Sequence, residues 1–556
     1  LKIHHFFEKQ GNHHMKKTLF ISGQDFFSYL RILIVIILAL SFTFRFINID
    51  QKSYWDDEAF TALRVSGYTE YELVDKVSSF ERISVTDLSQ FQSPNTEKTL
   101  IDTINSLALE EAQHPPLYYV MARWCMQWFG NSMVSLRGLS AVISLLALPS
   151  IYWLCLELFG SSWTAWIAVQ LLAISPFHVL YAQEGREYSL WIVTILLSSA
   201  SLLGAIRTHK KLHWGIYTAT LALSLYTFPS SVAVAVAHGV YVIARESFRL
   251  TKTVIAYILA SLAGLLAFSP WLWVIVTNLN HLKNIVGGQG NMPALSLIKT
   301  WAFNLSRIFI DTNHERAVIN FGIENKFTYL IQISLVGLIV VLVGYAIYYL
   351  CRHSSKKAWL FILSLILVTC LPIMLKDLIS EGTKSIIPRY LIPGYLAIQI
   401  SVAYLLANKI NATSYKQKFW KIVMCAIFSG AIFSCVMISQ SNYWWTKSHS
   451  DTNLQAARLI NQVERPLLIS DGSMGRILGL SHQLKSQVQL QLKPYCHTCR
   501  VLPPAVVNKD ILKIPHDFDV FLFAPSLELK NAIENDKNYQ LQPLTIDLWR
   551  LKKAEG

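Results

Sequence analysis

The sequence predicts a polytopic α-helical membrane protein that ends in a small α/β soluble domain. Three observations carry that prediction. Apolar runs of about twenty residues recur along the first 440 positions, and that is the length needed to cross the hydrocarbon of a bilayer. Only 15% of the 556 residues are charged while 53% are hydrophobic, a poor balance for a soluble chain. From about residue 441 the apolar stretches become short or alternating, as strands of a compact domain do.

In chain order the apolar runs fall near 29–47, 134–157, 163–181, 188–206, 213–228, 229–244, 253–277, 328–350, 358–375, 389–407 and 419–439, about eleven spans. Leu117 to Phe129 is a further run, but it is only about thirteen residues long and contains Arg123. Runs of that length lie at the interface rather than cross, so a membrane-surface helix is expected there. Residues 1–14 precede M-K-K at Met15 and are left out of the fold argument as an upstream extension. The first apolar run has no convincing signal-peptidase site after it and is expected to remain as a helix.

Charge orients the spans. With 117–129 kept at the surface, one side collects the N-terminal Lys16 and Lys17 and four basic loops. These loops contain Arg207, Lys210 and Lys211; Arg245, Arg249 and Lys252; Arg352, Lys356 and Lys357; and Lys409, Lys416 and Lys418. That side is cytoplasmic by the positive-inside rule. The opposite, outer side receives the loop 48–133, the turn 181–187, the loops 278–327 and 376–388, and the tail. Between Asp50 and Glu111 the first outer loop has thirteen acidic residues against five Lys or Arg. Three units follow: a cytoplasmic segment 1–28, a membrane domain 29–440 and an extracytoplasmic domain 441–556.

Net charge is +14, but the basic residues sit in short loops between apolar runs, so membrane orientation accounts for them and a nucleic-acid partner is not expected. Six of the eight cysteines lie in or beside apolar runs and read as packing residues. Cys496 and Cys499, in P-Y-C-H-T-C-R, lack the second pair of a zinc site and on an outer face read as a disulfide. D-G-S-M-G at 471–475 follows a predicted strand but lacks the further glycine and acidic partner of a dinucleotide site, so a plain turn is expected.

Three stretches carry chemistry. Trp55-Asp56-Asp57-Glu58 follows the first span, where acidic residues would suit the first turn of a helix even without a further role. A-Q-H-P-P-L-Y-Y at 112–119 closes the same loop, its two prolines holding His114 at the membrane surface. S-P-F-H-V-L-Y-A-Q-E-G-R-E-Y-S at 175–189 puts Glu184, Arg186 and Glu187 at an outer span end. Together with F-G-x-S-x-x-x-L-R-x-L-S-A at 129–141 and P-R-Y-L-I-P at 388–393, these motifs resemble the GT-C glycosyltransferases. The resemblance is to the family-39 type, which includes protein O-mannosyltransferases and aminoarabinose transferases. It covers roughly residues 29–405 and leaves the tail without a recognised motif.

The resemblance implies a membrane-helix bundle that moves a sugar from a polyprenyl-phosphate donor to an extracytoplasmic protein, lipid or glycan. The partners implied are that donor, membrane lipids and the acceptor. Asp57 would be the catalytic base with Glu58 beside it. Asp56 is extra to the motif and is read as a surface residue or as a group that orients Asp57. His114 would shape the acceptor or phosphate site, and Glu184 or Glu187 would fill the second acidic position. Arg186, Lys384 and Arg389, with Tyr390 beside the last, would contact phosphate, since cationic heads suit it. Asp57, Glu58, His114 and Glu184 offer donors to a divalent metal, though no spacing demands one. The alternative, a transporter or flippase of lipid-linked sugars, would place its ionisable residues mid-span. Here they gather at one surface.

Overall fold

The computed structural model describes residues 23–286, 290–311, 326–411, 416–447, 450–499, 517–536 and 538–553. Most of the N-terminal segment, 1–22, lies outside the described residues, as does part of the loop 278–327. Among the described residues, seven helices are long and apolar enough to cross a membrane. They are Met133–Phe159, Tyr188–Thr208, Lys252–Thr277, Leu330–His353, Lys356–Ser380, Pro388–Asn411 and Gln417–Gln440. Ser162–Ala173 and Pro176–Ala182, bent by 59°, make an eighth if counted as one span. The expected figure of about eleven is therefore not reached by length. The runs 213–228 and 229–244 fold as Lys211–Thr227, of 17 residues, and Ser231–Arg245, of 15. Phe228 and Pro229 break the helix between them, because proline cannot continue an intrahelical hydrogen bond. The apolar part of the first run, Ile32–Phe46, is likewise short.

Burial sorts the spans. Tyr188–Thr208 and Pro388–Asn411 have 94% and 83% of their most apolar stretch buried, so they form the middle of the bundle. Lys252–Thr277 and Leu330–His353 have 22% and 17%, and present Leu259, Leu266, Leu338 and Val341 outward. An apolar outer surface suits lipid, which replaces the water that a soluble protein would need. Arg45, buried among these helices, is satisfied by Ser41, Ser144 and the carbonyl of Ala173.

The first loop is built from helices with strong local signals. Thr69, Ser84 and Thr99 each cap a helix and receive a reciprocal bond from Glu72, Asp87 or Asp102 in a capping box. Leu117–Phe129 is a thirteen-residue helix whose Trp128 and Phe129 are exposed. Its Arg123 is turned inward, donating to the Val65 carbonyl at 2.8 Å and to Thr103 Oγ1 at 3.1 Å.

The tail forms a six-stranded sheet with strands β1 (Ile83–Ser84), β2 (Pro466–Ser470), β3 (Gln489–Leu492), β4 (Asp519–Phe523), β5 (Tyr539–Thr545) and β6 (Leu548–Lys553). The order is β1-β3-β2-β4-β6-β5, with β2 parallel to β3 and β4 and the other pairings antiparallel. One edge strand, β1, comes from the first loop, pairing Ile83 with Leu490. Side chains alternate across the sheet. Leu467, Ile469, Val520 and Leu522 pack on the helix Leu527–Glu534. Leu468, Phe521 and Phe523 share a core with Ile477 and with Tyr54, Phe60, Leu63 and Phe91 of the first loop. Loop and tail are therefore one packed body at one end of the bundle.

Candidate active site

The helix Asp56–Val65 starts with all three carboxylates in its first turn. Successive helical residues are about 100° apart, so three in a row cannot all face one cavity. Asp56 and Asp57 line a cavity of about 1020 Å³ between the membrane bundle, the first loop and the tail. Glu58 points into the protein and is fully buried. Its Oε1 accepts from Arg137 Nε at 2.7 Å and from the Gly185 amide at 2.9 Å. Its Oε2 accepts from Arg137 Nη2 at 2.7 Å and Lys447 Nζ at 2.8 Å. Burial by itself would raise the Glu58 carboxyl, but Arg137 and Lys447 bring it down to about 2. Gly185 is needed at this contact, because a Cβ there would lie 2.7 Å from Leu136.

Asp57 faces the cavity and meets Arg389, Nη1 to Oδ2 at 3.3 Å. The Arg389 guanidinium lies 5.6 Å from the Tyr188 ring centre and that of Arg186 lies 5.9 Å from it. The Tyr188 ring is thus within cation–π reach of two guanidinium groups, a contact its quadrupole favours. Arg186 donates to Thr61 Oγ1 at 2.9 Å, to the Asp57 carbonyl at 3.2 Å and to Tyr119 at 3.3 Å. Its Nη2 is 3.3 Å from His114 Nε2, and His114 Nδ1 is 2.9 Å from Glu187 Oε1. Burial works to lower the Arg186 guanidinium, yet Glu187 and its neighbours hold it well above the usual range. Glu187 goes the other way: burial raises it, and Arg186 and His114 pull it to about 2.

Of the nine residues singled out in the sequence, Asp57, His114, Arg186, Lys384, Arg389 and Tyr390 line the cavity. Glu58, Glu184 and Glu187 are buried behind its wall. Glu184 is held in the turn before Tyr188–Thr208, and its carboxyl is raised, by burial first, with Lys447 opposing and Glu58 adding. Asp56, expected as a surface residue in the variable position, lines the cavity as well. Among the described residues no three His, Cys, Asp or Glu side chains converge to hold a metal. The set offered by the sequence is divided, with Glu58 bound by four donors and His114 held between Glu187 and Arg186.

Several wall residues carried no signal. Lys376 and Asp377 lie near the end of the helix Lys356–Ser380, and Ser473, Tyr495, His497 and Thr498 come from the tail. Cys496 and Cys499 are joined in a disulfide within that last stretch. The D-G-S-M-G turn also brings its helix close: a Cβ on Gly475 would lie 2.6 Å from Phe60 and 3.2 Å from the Asp56 Cβ.

Helices long and apolar enough to cross a membrane define an integral, multi-pass membrane protein, in which two arginines and a carboxylate converge on one cavity. Residues 113–274 match the family described as dolichyl-phosphate-mannose-protein mannosyltransferase. The structure resembles that of ArnT from Cupriavidus metallidurans bound to undecaprenyl phosphate, with a TM-score of 0.53 and 11% identity, over 93% of this chain and 97% of that one. The same protein in the apo state gives 0.51 and 10%, over 94% and 98%. The archaeal oligosaccharyltransferase AglB from Archaeoglobus fulgidus, in complex with an inhibitory peptide and a dolichol-phosphate, gives 0.45 and 14%, over 95% of this chain and 75% of that one. At these identities the ArnT likeness is one of fold. No curated protein matches the sequence.

Proposed function

We propose that this chain transfers a sugar from a polyprenyl-phosphate donor to an acceptor outside the cytoplasm, with the cavity on the outer face of a bacterial plasma membrane. The observation that supports this most is the Asp57–Arg389 pair on the cavity wall. The reaction breaks the bond between an anomeric carbon and a phosphate oxygen, so the leaving lipid phosphate needs fixed positive charge. Arg186, Arg389 and Lys384 offer it, and the first two are pre-oriented by Tyr188. The attacking group must lose a proton, and a half-exposed carboxylate beside the cations is suited to take it. That role falls to Asp57.

Glu58 positions rather than reacts: with four donors on its two oxygens it fixes the first turn of the Asp57 helix to Arg137, Gly185 and Lys447. His114 and Glu187 do the same for Arg186. The family model and the fold speak for transfer rather than transport. The outer-face assignment follows from the basic loops 207–211, 245–252, 352–357 and 409–418, which by the positive-inside rule lie in the cytoplasm. The unit division 1–28, 29–440 and 441–556 is kept as a chain description, with the first loop and tail packed together.

The test is reconstitution in liposomes with radiolabelled undecaprenyl-phosphate sugars and an envelope extract as acceptor. Label leaving the lipid fraction in step with undecaprenyl phosphate release is the expected result. Label that crosses the bilayer still attached to lipid would instead support transport.

A further inference from the structure

The tail contributes a wall of a different chemistry from the rest of the cavity. Among the described residues, the Lys and Arg side chains lining it, Arg186, Lys376, Lys384 and Arg389, come from the membrane bundle and its loops. The tail supplies, among the described residues, Ser473, Tyr495, His497 and Thr498, which bring hydroxyls, an imidazole and an aromatic ring but no Lys, Arg, Asp or Glu.

This wall is built, not draped. Beyond β3 the chain keeps its extended pairing, Lys493 donating to Ser470 at 3.0 Å, Tyr495 to Asp471 at 3.3 Å, and Tyr495 bridging Ser473. The next residues alternate: Tyr495 and His497 are exposed toward the cavity, Cys496 and Thr498 are buried. The Cys496–Cys499 disulfide closes the turn from behind. Glu70 of the first loop then clamps it, accepting from the His497 amide at 3.1 Å, the Thr498 amide at 2.7 Å and Thr498 Oγ1 at 2.7 Å. Arg64, itself bound to Glu110 and Glu111, donates to Thr498 Oγ1 at 2.9 Å. A fully buried charged network is costly to form unless every member is partnered. Here it fixes a four-residue turn whose two outward side chains, Tyr495 and His497, pair with each other. Their rings lie with Tyr495 Oη and His497 Nδ1 3.2 Å apart.

We propose that Tyr495 and His497 are the acceptor-reading residues of this site, and that the acceptor end they meet is an uncharged, hydroxyl-rich group of carbohydrate type. This rests on the glycosyl-transfer reading above. An exposed aromatic face with flanking hydroxyl and imidazole groups suits a ring that is apolar on its faces and hydroxylated at its rim, as aromatic side chains with a polar handle do. A phosphate-bearing acceptor end would instead seek the cations across the cavity.

Saturation-transfer NMR on the full chain in nanodiscs tests this, with methyl α-mannoside and methyl N-acetyl-β-glucosaminide as probes. Binding of undecaprenyl phosphate is measured on the same samples by fluorescence quenching. The parent protein is expected to transfer saturation to at least one glycoside. Tyr495→Ala and His497→Ala should each weaken that signal about tenfold, the effect of losing about 1.4 kcal/mol of contact, with undecaprenyl phosphate binding unchanged. Both side chains are exposed, so the variants should fold, and retained lipid binding verifies it. No transfer to either glycoside, or transfer unaltered in both variants, overturns the proposal. Failure of the parent to bind undecaprenyl phosphate would instead strike the glycosyl-transfer reading.

Discussion

Asp57 and Arg389 lie 3.3 Å apart across the cavity wall, joining the first loop to the span Pro388–Asn411. On the proposed function, the pair brings the base and a phosphate-binding cation together in one small site. A donor phosphate that takes the guanidinium would free the carboxylate to accept a proton.

Replacing Arg389 by alanine is therefore expected to raise the donor KM and to lower kcat/KM by about 10²–10³-fold, the range for losing one preorganised charge-stabilising donor. Arg389→Lys should recover only part of this, because an ammonium lacks the planar fork. Steady-state kinetics against donor concentration measures both. An unchanged donor KM in Arg389→Ala would remove the phosphate contact from this residue.

Glu58→Gln should act on stability. It leaves Arg137 and Lys447 buried without their counter-ion, a loss of about 3–5 kcal/mol. Thermal unfolding in detergent should show a large drop, and Glu58→Gln combined with Lys447→Met should recover part of it. A variant as stable as the parent would mean that the buried cations find other partners.

The same carboxylate predicts an acid limit. Glu58 and Glu187 are held near 2, below the ordinary 4.5. A depressed carboxyl adds stability that is complete above the unfolded value and is lost as pH falls toward the folded one. Each such group is worth about 3 kcal/mol at neutral pH. Unfolding temperature should accordingly fall steadily below about pH 5, after any gain that protonation of the raised Glu184 carboxyl brings as pH drops from 7. Glu58→Gln should flatten that fall, a result obtained by scanning both proteins from pH 7 to 3.

Gly475→Ala tests whether the tail holds the catalytic helix in place. Its Cβ would press on Phe60 and on the Asp56 Cβ. Overpacking of this kind costs about 1–3 kcal/mol and shifts backbone. Transfer activity should fall while undecaprenyl phosphate binding persists, since the arginines sit on other elements. Full activity would show that the two helices can part without consequence.

How much of this was legible in the chain follows from the range of each signal. Apolar runs are local, so the helices of the bundle could be read directly. Asp57, His114, Arg186 and Arg389 could be found because motifs keep them in recognisable company. Their division of labour could not. Glu58 is separated from Asp57 by one residue step, yet its partner Lys447 lies far along the chain and no pattern links them. β1 is two residues of the first loop whose strand character exists only against Leu490 and Gln489 of the tail. Tyr495 and His497 reach the cavity for the same reason, through a sheet that long-range pairing creates. The runs 213–228 and 229–244 are helices where they were expected, divided at Phe228-Pro229, but at 17 and 15 residues they fall short of the length that would count them as spans.

The central claim, that Asp57 takes the acceptor proton, is tested most directly by single-turnover transfer from a labelled undecaprenyl-phosphate sugar in the parent and in Asp57→Asn. Donor binding is measured alongside by equilibrium quenching. The account predicts unaltered donor affinity with the rate of transfer lowered by about 10²–10⁴-fold, the usual contribution of a positioned general base. Transfer by Asp57→Asn at the parent rate, with donor bound equally well, would contradict it.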